Sequence, residues 1–207
     1  QKPELKILMV EKGRPIEKRV CPKRTTKVCV GCRPCSITTG FAGAGAFSDG
    51  KLSLSPDVGG NLPDILGYDK ALELIHESDD IYLKFGADTK VYGVDKQKEI
   101  QEIRRRAIMA NLKLIECPIR HLGTEEGYKI YTRLQEHLLS SGVRIEFNTM
   151  VQDILIEDGC ARGILTDKGE TYYAREIVSA IGREGSDWFS HVCRDHGIET
   201  KGGTVDI

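Results

Sequence analysis

Cys21, Cys29, Cys32 and Cys35 form a C-x7-C-x2-C-x2-C array and are four of the chain's seven cysteines. Thiolates two residues apart can grip a single metal centre. The compact run is more typical of iron–sulfur ligation than of zinc, which usually takes two separate C-x2-C knuckles. Lys23, Arg24, Lys27 and Arg33 stand among the cysteines. Positive charge there lowers thiol pKa and offsets the charge of a bound cluster. The same residues also read as a disulfide pair or as four free thiols. Three chemistries therefore stand open: an iron–sulfur cluster or zinc, a disulfide, and unpaired thiols.

The other thiols and imidazoles are less informative. His191, Cys193 and His196 have a spacing common by chance and no fourth ligand, so no metal is assigned to them. His76, His121 and His137 have nothing to orient them. Just beyond the cysteines, the stretch from Thr39 to Lys51 is dominated by glycine and alanine. Small residues let a backbone approach another group closely, and Ser48, Asp49 and Lys51 would add polar contacts there.

These residues need elements to position them. Leu5 to Val10 is a short, nearly continuous apolar run, the pattern of a strand buried on both faces of a parallel sheet. It ends at Glu11-Lys12-Gly13. From Arg14 to Cys35 the sequence is basic, rich in proline and cysteine, and without period. Such a loop must be held by something other than a core. After turn signals at Pro56, Gly59, Gly60 and Pro63, Asp69 is placed to cap a short helix carrying Leu72 and Ile75. Ile81 to Phe85 alternates like a strand. Asp95 is placed to cap a longer helix with Ile100, Ile103, Ala107 and Ile108 on one stripe.

The second half is more regular. Thr124, Glu125 and Glu126 start a helix with acid in its first turn. Tyr128, Tyr131, Leu134 and Leu138 continue it until Ser140-Ser141-Gly142. Val143 to Phe147 alternates as a strand. A three-stranded meander follows, turning at Glu157-Asp158-Gly159 and at Asp167-Lys168-Gly169. Ile177 to Gly182 again reads as a buried-type strand.

Composition narrows the class. An apolar fraction of 40% and a charged fraction of 29% fit an ordinary globular chain of 207 residues, long enough for one core and a satellite. A net charge of −1 argues against nucleic acid as a partner. Arg104-Arg105-Arg106, the one dense basic run, lies in a helical pattern and reads as a solvated face. No run reaches the roughly 20 apolar residues of a membrane span, and no signal peptide opens the sequence. With an odd cysteine count, these features predict a reducing, cytoplasmic compartment and no membrane partner.

Three stretches carry a resemblance: ILMVEKG, GFAGAGAFSDGKLSLSPDVGG, and LLSSGVRIEFNTMVQDILIEDGCARGILTDKGETYYAREIVSAIGRE. Together the chain resembles the FAD-binding domain of glutathione-reductase-like flavoproteins. It looks most like their branch of uncharacterised FAD-dependent dehydrogenases. The resemblance implies an α/β fold: an FAD/NAD(P)-binding, three-layer Rossmann-like domain with a β-meander crossover, plus part of an inserted cap or substrate domain. The implied boundaries are 1–59 for the first part of the FAD domain, with the cysteine-rich loop at 20–36. The inserted segment is 60–122, the helix and meander 123–190, and the start of a substrate domain 191–207.

The implied activity is a dehydrogenase passing hydride or electrons through flavin, with NAD(P)H and a small-molecule substrate as partners. The implied cofactor contacts are Glu11, at the adenosine ribose, Lys12 next to it, and Gly43, Gly45, Ser48, Asp49, Gly50 and Lys51 at the pyrophosphate or the flavin. Val151 falls at the adenine, and Ala180, Gly182 and Arg183 at the strand end below the cofactor. A carboxylate such as Glu11 accepts two hydrogen bonds from a diol, and Lys51 beside the flavin would stabilise the anionic reduced ring. The family also carries a first strand and a G-x-G-x-x-G loop about 20 residues before the acidic position, and a closing Gly-Asp segment. This sequence shows neither, so it is expected to supply adenine and flavin walls without the pyrophosphate floor. The alternative is a metal-binding electron carrier centred on the four cysteines, which would lie just before the flavin loop.

Overall fold

In this computed structural model the described residues are 4–201. They divide into two compact units, residues 4–44 with 138–201, and residues 45–137. The last part of the expected 191–207 segment, residues 202–207, lies outside the described residues. The class is mixed α/β with small sheets: one parallel pair, one antiparallel pair and one three-stranded meander.

The first unit begins with β1 (Leu8–Glu11), which pairs in parallel with β4 (Arg144–Phe147), Glu11 standing opposite Phe147. A strand covered on both faces was expected here. Instead Met9 is 37% exposed and Ile7 46%, because a two-stranded pair has no further layers to bury it. Leaving β4, the Asn148 N–H donates to the Gly13 carbonyl at 2.8 Å and the Thr149 N–H to the Glu11 carbonyl at 3.1 Å. The chain then enters β5 (Val151–Glu157), β6 (Cys160–Thr166) and β7 (Thr171–Tyr173), a continuous antiparallel meander. Its first turn has Asp158 and Gly159 both at positive φ, 51° and 73°, the requirement of a type I′ hairpin. Its second places Gly169 at φ 76°. The helices of this unit are α1 (Lys23–Thr26), within the cysteine loop, and α6 (Ser186–Asp195), docked on β5 by Trp188, whose indole N–H donates to the Gln152 carbonyl at 2.8 Å.

One strand expectation fails in this unit. Ile177–Gly182 forms no strand, and Val178 is 89% exposed. An apolar run becomes a strand only beside a neighbour that satisfies its backbone groups. Among the described residues, β1 and β4 pair only with each other.

The second unit holds β2 (Lys51–Ser53) and β3 (Ile119–His121), an antiparallel pair, with α2 (Leu62–Leu66), α3 (Tyr68–Lys84), α4 (Gln97–Met109) and the start of α5 (Thr124–Ser140). The strand expected at Ile81–Phe85 is helix: α3 runs through Lys84. Its inward stripe passes Ala71, Ile75, Asp79 and Tyr82, a helical spacing that outweighs the short alternation at its end. Leu52, Tyr82, Leu83 and Phe85 pack on the buried cluster of Ala87, Leu122 and Ile130. Tyr82 meets Tyr131 edge-on, with ring centroids 6.0 Å apart. Burial, reinforced by the Tyr82 hydroxyl, raises the Tyr131 phenol well above its ordinary range.

Asp79 sits on that apolar stripe as a buried charge, and Arg120 answers it. The guanidinium donates two bonds to the carboxylate, at 2.5 and 2.6 Å, and a third to the Asp88 carbonyl at 2.5 Å. Hydrogen bonding to Asp79 is the first cause that raises the Arg120 pKa further. This pairing ties α3 to β3.

Candidate functional site

The carboxyl ends of β1 and β4 gather three of the predicted cofactor-binding segments. Glu11 is half-buried, and its Oε1 accepts the Gly13 N–H at 2.7 Å. Lys12 Nζ donates to Glu184 Oε1 at 2.6 Å, which brings the turn holding Gly182 and Arg183 to the end of β1. Val151 opens β5 two residues after Thr149, whose N–H is bonded to Glu11. Thr149 is buried, its hydroxyl donating to the Phe147 carbonyl at 3.1 Å and accepting from Lys168 Nζ at 2.5 Å. Ala180, Gly182 and Arg183 belong to exposed irregular backbone and a 3-10 turn, in place of the expected strand end.

The cysteine loop leaves β1 through a tight neck. A Cβ on Gly13 would stand 2.5 Å from the Gly40 nitrogen, so the two backbones touch there. The Phe41 N–H donates to the Arg14 carbonyl at 3.0 Å. What holds the loop is Ile16, fully buried, and Arg19, 3% exposed. The Arg19 guanidinium donates to four backbone carbonyls: Ser36 at 3.0 Å, Ile37 at 2.8 Å, Phe41 at 2.5 Å and Gly43 at 2.7 Å. Burial lowers its pKa from the ordinary arginine value, opposed by the charge of Glu11. Gly43 is thus fixed through its carbonyl. A basic loop contains many arginines, and in the sequence nothing marked this one.

The cysteines do not assemble as a ligand set. Cys29, Cys32 and Cys35 are exposed, Cys21 is half-buried, and all four are free thiols. Among the described residues no group of three or more His, Cys, Asp or Glu side chains is placed to hold a metal ion. The four thiols expected as iron–sulfur or zinc ligands, Cys21, Cys29, Cys32 and Cys35, are therefore not brought together in this structure. The loop is organised from inside by Arg19, and Cys29, Cys32 and Cys35 are left exposed. The Cys35 sulfur accepts hydrogen bonds from the turn that follows it. The Ile37 N–H, then the N–H and hydroxyl of Thr38, hold its thiol below the ordinary range, with a smaller contribution from the Arg19 charge.

Gly45, Ser48, Asp49, Gly50 and Lys51 belong to the second unit. The 3-10 turn Gly43–Phe47 leads to Ser48, whose hydroxyl donates to the Gly45 carbonyl at 3.1 Å and accepts the Gly50 N–H at 3.1 Å. Gly50 has φ 62°, and a Cβ there would meet Leu122 at 2.9 Å. Lys51 lies 3.7 Å from Asp49, with both side chains largely exposed. The polar groups of this stretch therefore bond to one another and shape a turn.

Among the described residues no helix is long and apolar enough to cross a membrane. No family model matches the chain, and no curated protein matches it. Among solved structures, L-amino acid deaminase from Proteus vulgaris is similar at a TM-score of 0.37 and 13% identity. The alignment covers 82% of this chain and 40% of that one.

Proposed function

We propose that this chain is part of an FAD-dependent oxidoreductase, a dehydrogenase that moves hydride or electrons through flavin. NAD(P)H and a small-molecule substrate would be its redox partners. The observation that carries the reading is the convergence of Glu11, Lys12, Val151 and the turn at Gly182–Arg183 on the carboxyl ends of two parallel strands. Open α/β sheets bind their ligands off such ends. The donor set suits an adenosine ribose. Glu11 commits Oε1 to Gly13 and keeps Oε2 for a hydroxyl. Gly182, at φ 61° and ψ −167°, offers a backbone without a side chain in the way.

Flavin, when bound, supplies the redox chemistry. The residues of this chain bind and orient it: Glu11 at the ribose, the backbone of Val151 at the adenine, and Gly43, held by Arg19, at the start of the small-residue stretch.

Titrating the protein with FAD and following flavin fluorescence tests the reading. Replacing Glu11→Ala removes a charged acceptor and is expected to weaken FAD binding about tenfold or more, with Glu11→Gln intermediate. Equal affinity in all three proteins, or no uptake of flavin by the parent, would remove the basis for a flavoenzyme.

A further inference from the structure

β2 and β3 bond through alternate residues. The Leu122 N–H donates to the Gly50 carbonyl and the Leu54 N–H to the Pro118 carbonyl, both at 2.8 Å, with Leu52 opposite Arg120 between them. In an antiparallel ladder the intervening residues direct their N–H and C=O the other way. On β3 this is visible, because Ile119 exchanges its outward groups with Tyr92 at 2.8 and 3.0 Å. Ser53 stands opposite Ile119, and Lys51 opposite His121. Ser53 and Lys51 therefore direct their own backbone groups away from β3. Among the described residues no strand pairs with that edge of β2.

A cleft of ≈ 270 Å³ adjoins this edge, with Lys51 and Ser53 on its strand side and Leu62, Leu74, Ile75 and Tyr82 along its apolar wall. The carboxylate that reaches it, Asp79, is already engaged twice by Arg120, so it places no unpaired charge there. An open row of peptide donors and acceptors beside an aliphatic wall is the complement of an extended peptide. We propose that this cleft docks an extended peptide segment. The segment adds as a strand to the outer edge of β2, exchanges hydrogen bonds with Lys51 and Ser53, and seats an aliphatic side chain against Leu74, Ile75 and Tyr82. Backbone pairing sets the register, and the cleft selects the side chain. This site lies wholly within the second unit and does not depend on the flavin reading.

The probe is acetyl-Ala-Leu-Ala-amide, compared by calorimetry with the same peptide methylated at every amide nitrogen. Expected are saturable binding of the parent peptide, at least about tenfold weaker binding of the methylated one, and slowed amide exchange at Lys51 and Ser53. Ser53→Pro removes an outward N–H that β3 does not use, and Ile75→Trp fills the cleft; each is expected to weaken binding about tenfold. Should Ser53→Pro fail to fold, Ile75→Trp and the methylated peptide decide the question. Equal binding of both peptides, or no binding of the parent peptide, overturns the proposal. So does a concentration-dependent dimer in sedimentation that Ser53→Pro abolishes, which would assign this edge to a second copy of the chain.

Discussion

Lys12 and Glu184 are 172 residues apart in sequence, yet their side chains meet at 2.6 Å. The pair fastens the end of β1 to the turn that follows Ile177–Gly182. Both side chains are substantially exposed, at 36% and 48%, so water and salt screen the attraction. Its contribution is to geometry more than to folding energy.

Glu184→Gln should therefore lower stability by less than about 1 kcal/mol in urea denaturation, with the difference vanishing in high salt. On the proposed flavin reading, FAD affinity should fall as well, since the turn is held less firmly beside Glu11. A stability loss well above that range would mean that the pair is shielded from solvent.

Arg19 presents the opposite case. Arg19→Met removes the donor of four carbonyls at once, and a buried carbonyl left without a partner costs about 1–3 kcal/mol. Some of the four will find water, so the expected loss is about 3 kcal/mol or more, read from the urea midpoint. Arg19→Lys should recover only a small part, because an ammonium lacks the planar fork that reaches four acceptors.

Cys35 should be alkylated at lower pH than an ordinary thiol. The thiolate is the nucleophile, and the Ile37 and Thr38 donors favour it. The pH–rate midpoint for iodoacetamide, followed by mass spectrometry, should lie below that of a cysteine in a short unstructured peptide. Thr38→Val should raise it partway, leaving the two N–H donors. A folded pKa that is depressed contributes stability above the unfolded thiol pKa, and this is lost as pH falls through the folded value. A midpoint equal to that of the peptide would refute this account.

Asp79→Ala should cost about 3–5 kcal/mol, because it strands the Arg120 charge in a buried site. Replacing both partners together, as Asp79→Leu with Arg120→Met, should recover much of that loss. Thermal unfolding of the single and double variants measures the difference.

The elements legible in the sequence were those that local pattern determines. α5 followed from an acidic first turn and the spacing of Tyr128, Tyr131, Leu134 and Leu138. The meander followed from two turns whose residues accept positive φ. Where a distant partner decides the outcome, local pattern misleads. Ile81, Leu83 and Phe85 alternate like a strand, but they end a helix whose inward face had begun at Ala71. Ile177–Gly182 has the composition of a buried strand and has no strand beside it among the described residues. The candidate site divides in the same way. Glu11 was visible as an acid at a strand end, whereas the role of Arg19 required knowing which carbonyls fold around it. For Asp79 a signal was present: an acid on the inward stripe, four residues after Ile75, implies a buried cation elsewhere in the chain.

The neck at Gly13 and Gly40 has an implication for how this protein tolerates change. The backbones touch there without room for a Cβ, and Arg19 fastens the loop just inside. Residues beyond that fastening, from Val20 to Cys35, form a cassette closed at its base. Lengthening such a segment is cheap, since each doubling of a flexible loop costs only about 0.6 kcal/mol. Foreign sequence grafted between Val28 and Pro34 should leave β1, β4 and the meander intact, whereas one methyl group added at Gly13 should not be tolerated.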